Sequence, residues 1–171
     1  FTSMEDQSFS PFYTALFMSM LSANYVFEKS KVADEVGEAK FLRALSYFKL
    51  VRVFGDVPVN LTATPSTTDA SILTRQPASS IYTNVIIPDL EDAIAALAPE
   101  ITEGRASKYA AQGLLGKVYV QIGDFSSAES HLAAVVNGAG SAGISLQENF
   151  ADIFGVDNDL NPEIIYATQI S

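Results

Sequence analysis

The chain has 171 residues, 48% of them hydrophobic and 18% charged, enough apolar material for a packed core and the wrong composition for disorder. Twenty acidic against ten basic residues leave a net charge of −10, which argues against nucleic acid and against docking on anionic lipid. No cysteine is present, so disulfides, thiolate metal sites and cysteine nucleophiles are excluded.

No apolar run reaches the roughly 18 residues of a bilayer-spanning helix. Phe1 opens the chain and Gln169-Ile170-Ser171 closes it directly after a strand-like run, so both ends read as cut. The whole of residues 1–171 is expected to form a single helical region belonging to something longer.

Residues 1–7 are polar and read as irregular. From Ser8 to Lys29, Phe12, Leu16, Met20 and Ala23 recur at helical spacing, with Ser10-Pro11 as cap and first helical residue. After a polar turn comes the dominant helix, 38–54, whose stripe is Phe41, Ala44, Leu45, Phe48 and Val51. Leu42, Tyr47, Leu50, Val53 and Phe54 fall outside that stripe, so this helix must pack on more than one side. Gly55 ends it and Pro58 forbids its continuation.

Residues 56–76 read as loop, with a short alternation at Val57, Val59 and Leu61. A third helix is predicted over 79–97, burying Tyr82, Ile86, Leu90, Ala93 and Leu97 and kinked by Pro88. Ser107 caps a fourth helix that runs to Ile122, and Gly123-Asp124 makes the turn. Ser126 and Glu129 have the spacing of a capping box for a fifth, which ends at Asn137-Gly138. Residues 138–143 look flexible, 146–154 look like a helical turn, and 164–170 form the best strand candidate.

Leu115, Gly116, Tyr119, Gly123, Phe125, Ala128 and Leu132 fall at the spacing of a tetratricopeptide helix–turn–helix, a unit of ~34 residues. A glycine inside a helix costs ~1 kcal/mol relative to alanine, so Gly113 and Gly116 call for a close neighbour. Ala44, Tyr47, Phe48, Val51 and Gly55 occupy the matching places in the dominant helix. Its partner is expected only at 79–97, after the loop 56–76. The expected fold is therefore mostly α: about five helices in tetratricopeptide-like repeats, forming an α–α superhelix with a short terminal strand.

The run Glu38-Ala39-Lys40-Phe41-Leu42-Arg43-Ala44, ending in Phe54-Gly55-Asp56-Val57-Pro58-Val59, resembles the hallmark of SusD/RagB-type nutrient-binding outer-membrane lipoproteins. Ile86-Ile87-Pro88-Asp89-Leu90-Glu91-Asp92-Ala93, Ser107 to Phe125, and Asn149 to Tyr166 are similar to later stretches of that family, in the same order. Pro88 departs from the polar residue usual there. The resemblance implies a lipid-anchored protein on the external face of the outer membrane. Such a protein pairs with a TonB-dependent, SusC-like transporter and captures oligosaccharides or other nutrients. Its repeat helices serve as a scaffold facing the transporter. Sugar is usually held by aromatic residues on loops outside those repeats, so that no family binding residue carries over to this chain. The membrane is met only through a lipid anchor outside this chain.

No catalytic, metal or cofactor set emerges from the residues. His131 is the only histidine, and adjacent carboxylates such as Glu91-Asp92 point ~100° apart on a helix, so they cannot flank a glycosidic bond. Asp157-Asn158-Asp159 starts like a calcium loop but lacks its glycine and its closing glutamate. Tryptophan is absent, which removes the commonest sugar-stacking platform. Phe9, Phe12 and Tyr13 near the start of the first helix read first as core residues, with stacking on a ligand as the alternative. The expected function is non-catalytic glycan binding, and the alternative is a generic repeat scaffold for protein–protein contact.

Overall fold

The computed structural model describes residues 2–65, 68, 70–102, 104–154, 158 and 160–168. The elements are α1 (Thr2–Lys29), α2 (Ala33–Phe54), β1 (Val57–Pro58), β2 (Arg75–Gln76), α3 (Ala78–Ile81), a π-helical turn (Tyr82–Ile86), α4 (Ile87–Ala96), α5 (Lys108–Ile122) and α6 (Phe125–Gly138). Residues 78–96 run without a break, so the described residues hold five helices, as the periodicity predicts.

Each helix packs on its predecessor: α1 on α2, α2 on α4, α4 on α5, α5 on α6. That is the stacking order of a repeat array, in which each unit supplies the face its neighbour buries. In α2, Phe41, Ala44, Phe48 and Val51 are buried along the stripe, while Tyr47 and Leu50 are buried beyond it. Both sides of α2 are occupied because it lies between α1 and α4 and also touches α5.

Helix α1 starts earlier than the sequence suggests, so residues 2–7 are helical and Pro11 lies inside the helix. Its missing N–H removes one bond, a loss that a helix of 28 residues absorbs locally. Leu16, Met20 and Ala23 are buried as expected, whereas Phe12 stays 39% exposed.

Pro88 acts through helix geometry. A proline clashes with the carbonyl four residues back, here Asn84, and the helix widens into a π turn just ahead of it. Ile87 then donates its N–H to the Tyr82 carbonyl, five residues back. Tyr82, Ile86, Leu90, Ala93 and Leu97 are all buried, so the widened turn keeps the predicted stripe on one face.

The loop 56–76 holds more structure than its sequence suggests. Val57 and Pro58 pair antiparallel with Gln76 and Arg75, and Ala70–Leu73 is a 3-10 turn. Strands of two residues have no periodicity to read. Gly55, with φ 69°, turns the chain from α2 into β1, and its N–H donates to the Val51 carbonyl at 3.1 Å.

Ser107 caps α5 as predicted, accepting the Ala110 N–H at 3.2 Å, and Gly123 ends it in the left-handed region. The cap of α6 is Asp124, not Ser126: its carboxylate accepts the Ser127 N–H at 3.1 Å and the Ser127 hydroxyl at 2.7 Å. Those two bonds hold the Asp124 carboxyl below the usual range. A carboxylate with two donors at hand outcompetes a serine hydroxyl two residues later. Residues 139–142, expected to be flexible, form a 3-10 turn closed by Gly143 with φ 76°. The helical turn expected over 146–154 is a 3-10 turn confined to Phe150–Phe154.

Residues 164–168 of the expected terminal strand are not in a strand, and the only sheet among the described residues is the β1–β2 pair. A strand needs a hydrogen-bonding neighbour. This segment instead lays side chains on the core, with the Tyr166 ring edge-on to Phe41 at 4.9 Å. Residues 169 and 170 lie outside the described residues, as do Asp157 and Asp159 of the calcium-like run.

The two glycines of α5 differ. A Cβ on Gly116 would sit 2.6 Å from Leu132 Cγ, which is the close α5–α6 approach the repeat pattern demands, whereas a Cβ on Gly113 meets nothing within 4 Å. Gly113→Ala is therefore expected to raise stability by about 0.5–1 kcal/mol, and Gly116→Ala to lower it by about 1–3 kcal/mol through overpacking. Urea midpoints of the two variants moving in the same direction would contradict this.

Candidate functional site

Phe9, Phe12 and Tyr13 sit three and four residues apart on α1, so they share one face. That face meets Phe54, the last residue of α2. Ring centroids lie 6.4 Å from Phe54 for Phe9, 6.4 Å for Phe12 and 5.2 Å for Tyr13, whose own ring is 4.5 Å from Phe17. The T-shaped Phe9 and Tyr13 contacts suit the ring quadrupole. An open cavity of about 370 Å³ lies beside this cluster, lined by Phe9, Ser10, Tyr13 and Phe54 on one side and Asp56, Val57, Pro58 and Arg75 on the other. Phe12 touches Phe54 but stays outside the lining.

The sequence singles out Phe9 and Tyr13 but misses Asp56 and Arg75. Arg75 reaches the pocket only because β2 pairs with β1, which places it opposite Pro58. Its guanidinium has no hydrogen-bond or ion-pair partner among the described residues. Asp56 Oδ1 accepts the Ala78 N–H at 2.9 Å, which fixes the carboxylate at the start of α3. Burial raises the Tyr13 phenol above its usual pKa, and nearby Arg75 partly offsets that, so the hydroxyl stays neutral and able to donate.

A buried polar network joins α1, α2 and α4. Arg43 Nε donates to Asp89 Oδ2 at 2.7 Å and Nη2 to Asp89 Oδ1 at 2.8 Å, a two-pronged pair between α2 and α4. Arg43 Nη1 donates to Asn24 Oδ1 on α1 at 2.8 Å, and the Asn24 amide donates to the Asn60 and Thr62 carbonyls, each at 3.1 Å. Tyr47 accepts the Asn60 N–H at 2.8 Å and donates to the Asn60 carbonyl at 3.1 Å. Three helices and the segment after β1 are thus tied together by buried groups that satisfy one another. This is a structural node, because its side chains are buried and their polar atoms satisfy one another.

Burial, partly countered by the Asn60 backbone bond, pushes the Tyr47 phenol up to about 12. Below pH 10 the phenol is protonated in both folded and unfolded chains, so its contribution is fully present. Between 10 and 12 only the unfolded chain releases the proton, and stability falls as pH rises, by about 3 kcal/mol in all. Tyr47→Phe is expected to be less stable at neutral pH and to show a shallower loss over that window. Equal alkaline slopes for the two proteins in urea titrations would contradict the assignment.

Of the repeat-packing residues expected from sequence, Ala44, Tyr47, Phe48, Val51, Leu115 and Ala128 are buried. Gly55 and Gly123 occupy turns with positive φ, and Gly116 is covered by Leu132. Tyr119 is half-buried and stacks on His131 at 5.6 Å. Phe125, the first residue of α6, is 68% exposed. A second, apolar cavity of about 530 Å³ lies between α2, α5, α6 and residues 163–166, with Gly113 in its wall. Among the described residues no cluster of histidine and carboxylate groups could hold a metal ion, and no helix is long and apolar enough to cross a membrane.

Stacked helix pairs with tetratricopeptide spacing define a helical-repeat protein. A family model described as starch-binding associating with outer membrane matches residues 2–120. The chain belongs to this SusD-like family. It is 32% identical over 129 residues to SusD-like protein P2 of Formosa agariphila, covering 74% of this chain and 25% of that protein. SusD-like protein P25 of the same organism is 28% identical over 155 residues, covering 89% of this chain and 28% of that one. A solved laminarin-binding SusD-like protein superposes with a TM-score of 0.81 at 29% identity, covering 91% of this chain and 36% of that one. A SusD superfamily protein from Bacteroides vulgatus gives 0.79 at 28% identity, over 96% of this chain and 36% of that one. The chain thus spans about a quarter to a third of the length of the curated relatives it matches.

Proposed function

We propose that this chain is the helical-repeat portion of a non-catalytic glycan-binding component of an outer-membrane uptake system, and that its helices contact a TonB-dependent, SusC-like transporter. The family match over residues 2–120 carries the reading. The laminarin-binding relative supports a glycan as the cargo. In this account the whole protein is held at the external face of the outer membrane by a lipid anchor. It captures an oligosaccharide by shape, hydrogen bonds and ring stacking, and hands it over unaltered.

Transporter contact is tested by affinity purification of the tagged full-length protein from detergent-solubilised outer membranes. A TonB-dependent transporter is expected in stoichiometric amount. Recovery of the protein without one, or with an unrelated soluble partner instead, would favour a generic repeat scaffold.

A further inference from the structure

We infer that the pocket between α1, the end of α2 and the β1–β2 pair is a subsite for a neutral pyranose unit of the cargo glycan. The inference rests on the glycan-binding reading above and adds to it a place and a ligand class.

The aromatic cluster is more than helix packing. Phe9 remains 52% exposed, and its described ring contact is with Phe54 alone. A large apolar ring beside an open cavity offers a flat face to a flat partner. The axial C–H groups of a pyranose present such a surface, apolar on the face and polar at the rim.

The opposite wall supplies the rim chemistry. Arg75 offers only donors and Asp56 only acceptors. One Asp56 oxygen is engaged by the Ala78 N–H, and the other carries no hydrogen bond among the described residues. Arg75 is held by its pairing with Pro58, and Asp56 directly precedes β1, so the short antiparallel pair sets the positions of both. A sugar diol can donate to Asp56 while accepting from Arg75, and Tyr13 and Ser10 add neutral hydroxyls to the lining.

The same residues argue against a uronate or a sulfated sugar. Such an anion would gain Arg75 but face Asp56 in the same cavity, within a chain whose net charge is −10. A purely apolar ligand is disfavoured too, because it would strip water from both charged groups without replacing their hydrogen bonds.

The test is calorimetry on the full-length protein with neutral oligosaccharides (β- and α-glucans, xylan and mannan fragments) and with oligouronates. Wild type is compared with Phe9→Ala and Arg75→Gln, both changes at exposed positions, with circular dichroism to verify folding. At least one neutral glycan is expected to bind, with Kd rising roughly tenfold in each variant, the order expected for loss of one stacked ring or one charge-assisted bond. Saturation-transfer NMR should show the ring-face C–H protons closest to the protein, and this signal should fade in Phe9→Ala.

Unchanged affinity for a bound neutral glycan in both folded variants would overturn the subsite and leave the glycan-binding reading standing. Binding of oligouronates alone, lost in Arg75→Gln, would overturn the ligand class. No binding of any glycan by wild type would sink both readings.

Discussion

Arg43→Met is expected to cost about 3–5 kcal/mol of folding stability, the usual loss when one member of a buried ion pair is removed. The side chains of Arg43 and Asp89 are 9% and 6% exposed, so truncation leaves the Asp89 carboxylate in the core without its two donors. It also leaves Asn24 Oδ1 without the Arg43 Nη1 donor. The exposed pairs of Arg105 with Glu38 and Asp34 offer a contrast, since Arg105→Ala should change stability by less than about 1 kcal/mol.

The Arg43 cost belongs to the orphaned partner more than to the pair itself. Combining Arg43→Met with Asp89→Leu is therefore expected to recover much of the loss. Lysine at position 43 should fall between, because an ammonium cannot bridge both Asp89 oxygens and Asn24 in one plane. Urea unfolding of the single and double variants measures the coupling. Additive losses would show that the network is not a unit.

Phe41→Ala is the second large effect, expected at about 3–5 kcal/mol. Phe41 is 2% exposed at the centre of α2, and its ring meets Tyr166 edge-on at 4.9 Å. Removing it opens a hole and also loosens the segment 163–166, which lies outside any strand. That segment is also tied by the Gln147 N–H bond to Glu163 Oε1 at 2.7 Å. Phe41→Leu should cost clearly less, since most of the volume stays. Limited proteolysis should then cut near residues 160–168 faster in Phe41→Ala than in wild type, while sites in α4 stay protected. Uniform sensitivity along the chain would mean that the segment is not anchored through Phe41.

The legible part of this fold is what repeats at short range. Helix positions followed from apolar spacing, the α5 cap from Ser107, and the α5–α6 turn from Gly123 with Asp124. The α5–α6 close approach followed from Gly116, whereas a Cβ on Gly113 would meet nothing within 4 Å among the described residues.

What escaped depends on distance or on competition between similar local signals. Nothing local marks Arg43 as the centre of a network, because Asn24 and Asp89 lie 19 and 46 residues away in sequence. Two acceptable caps stood two residues apart, and the second donor from Ser127 decided for Asp124. Pro88 signalled a disturbance without saying that a π turn would absorb it.

The pocket was half legible for the same reason. Phe9 and Tyr13 share a helix face that spacing reveals. Asp56 and Arg75 meet only through strands of two residues each, too short to leave a pattern.

The central claim is passive glycan capture by a SusD-like protein. Its most direct test is calorimetry of the full-length protein against a panel of oligosaccharides, with chromatography of the sugar recovered afterwards. The account predicts saturable, micromolar-range binding of a glycan that is returned at its original length. Shortened sugar, or a flat titration across the panel, would contradict it.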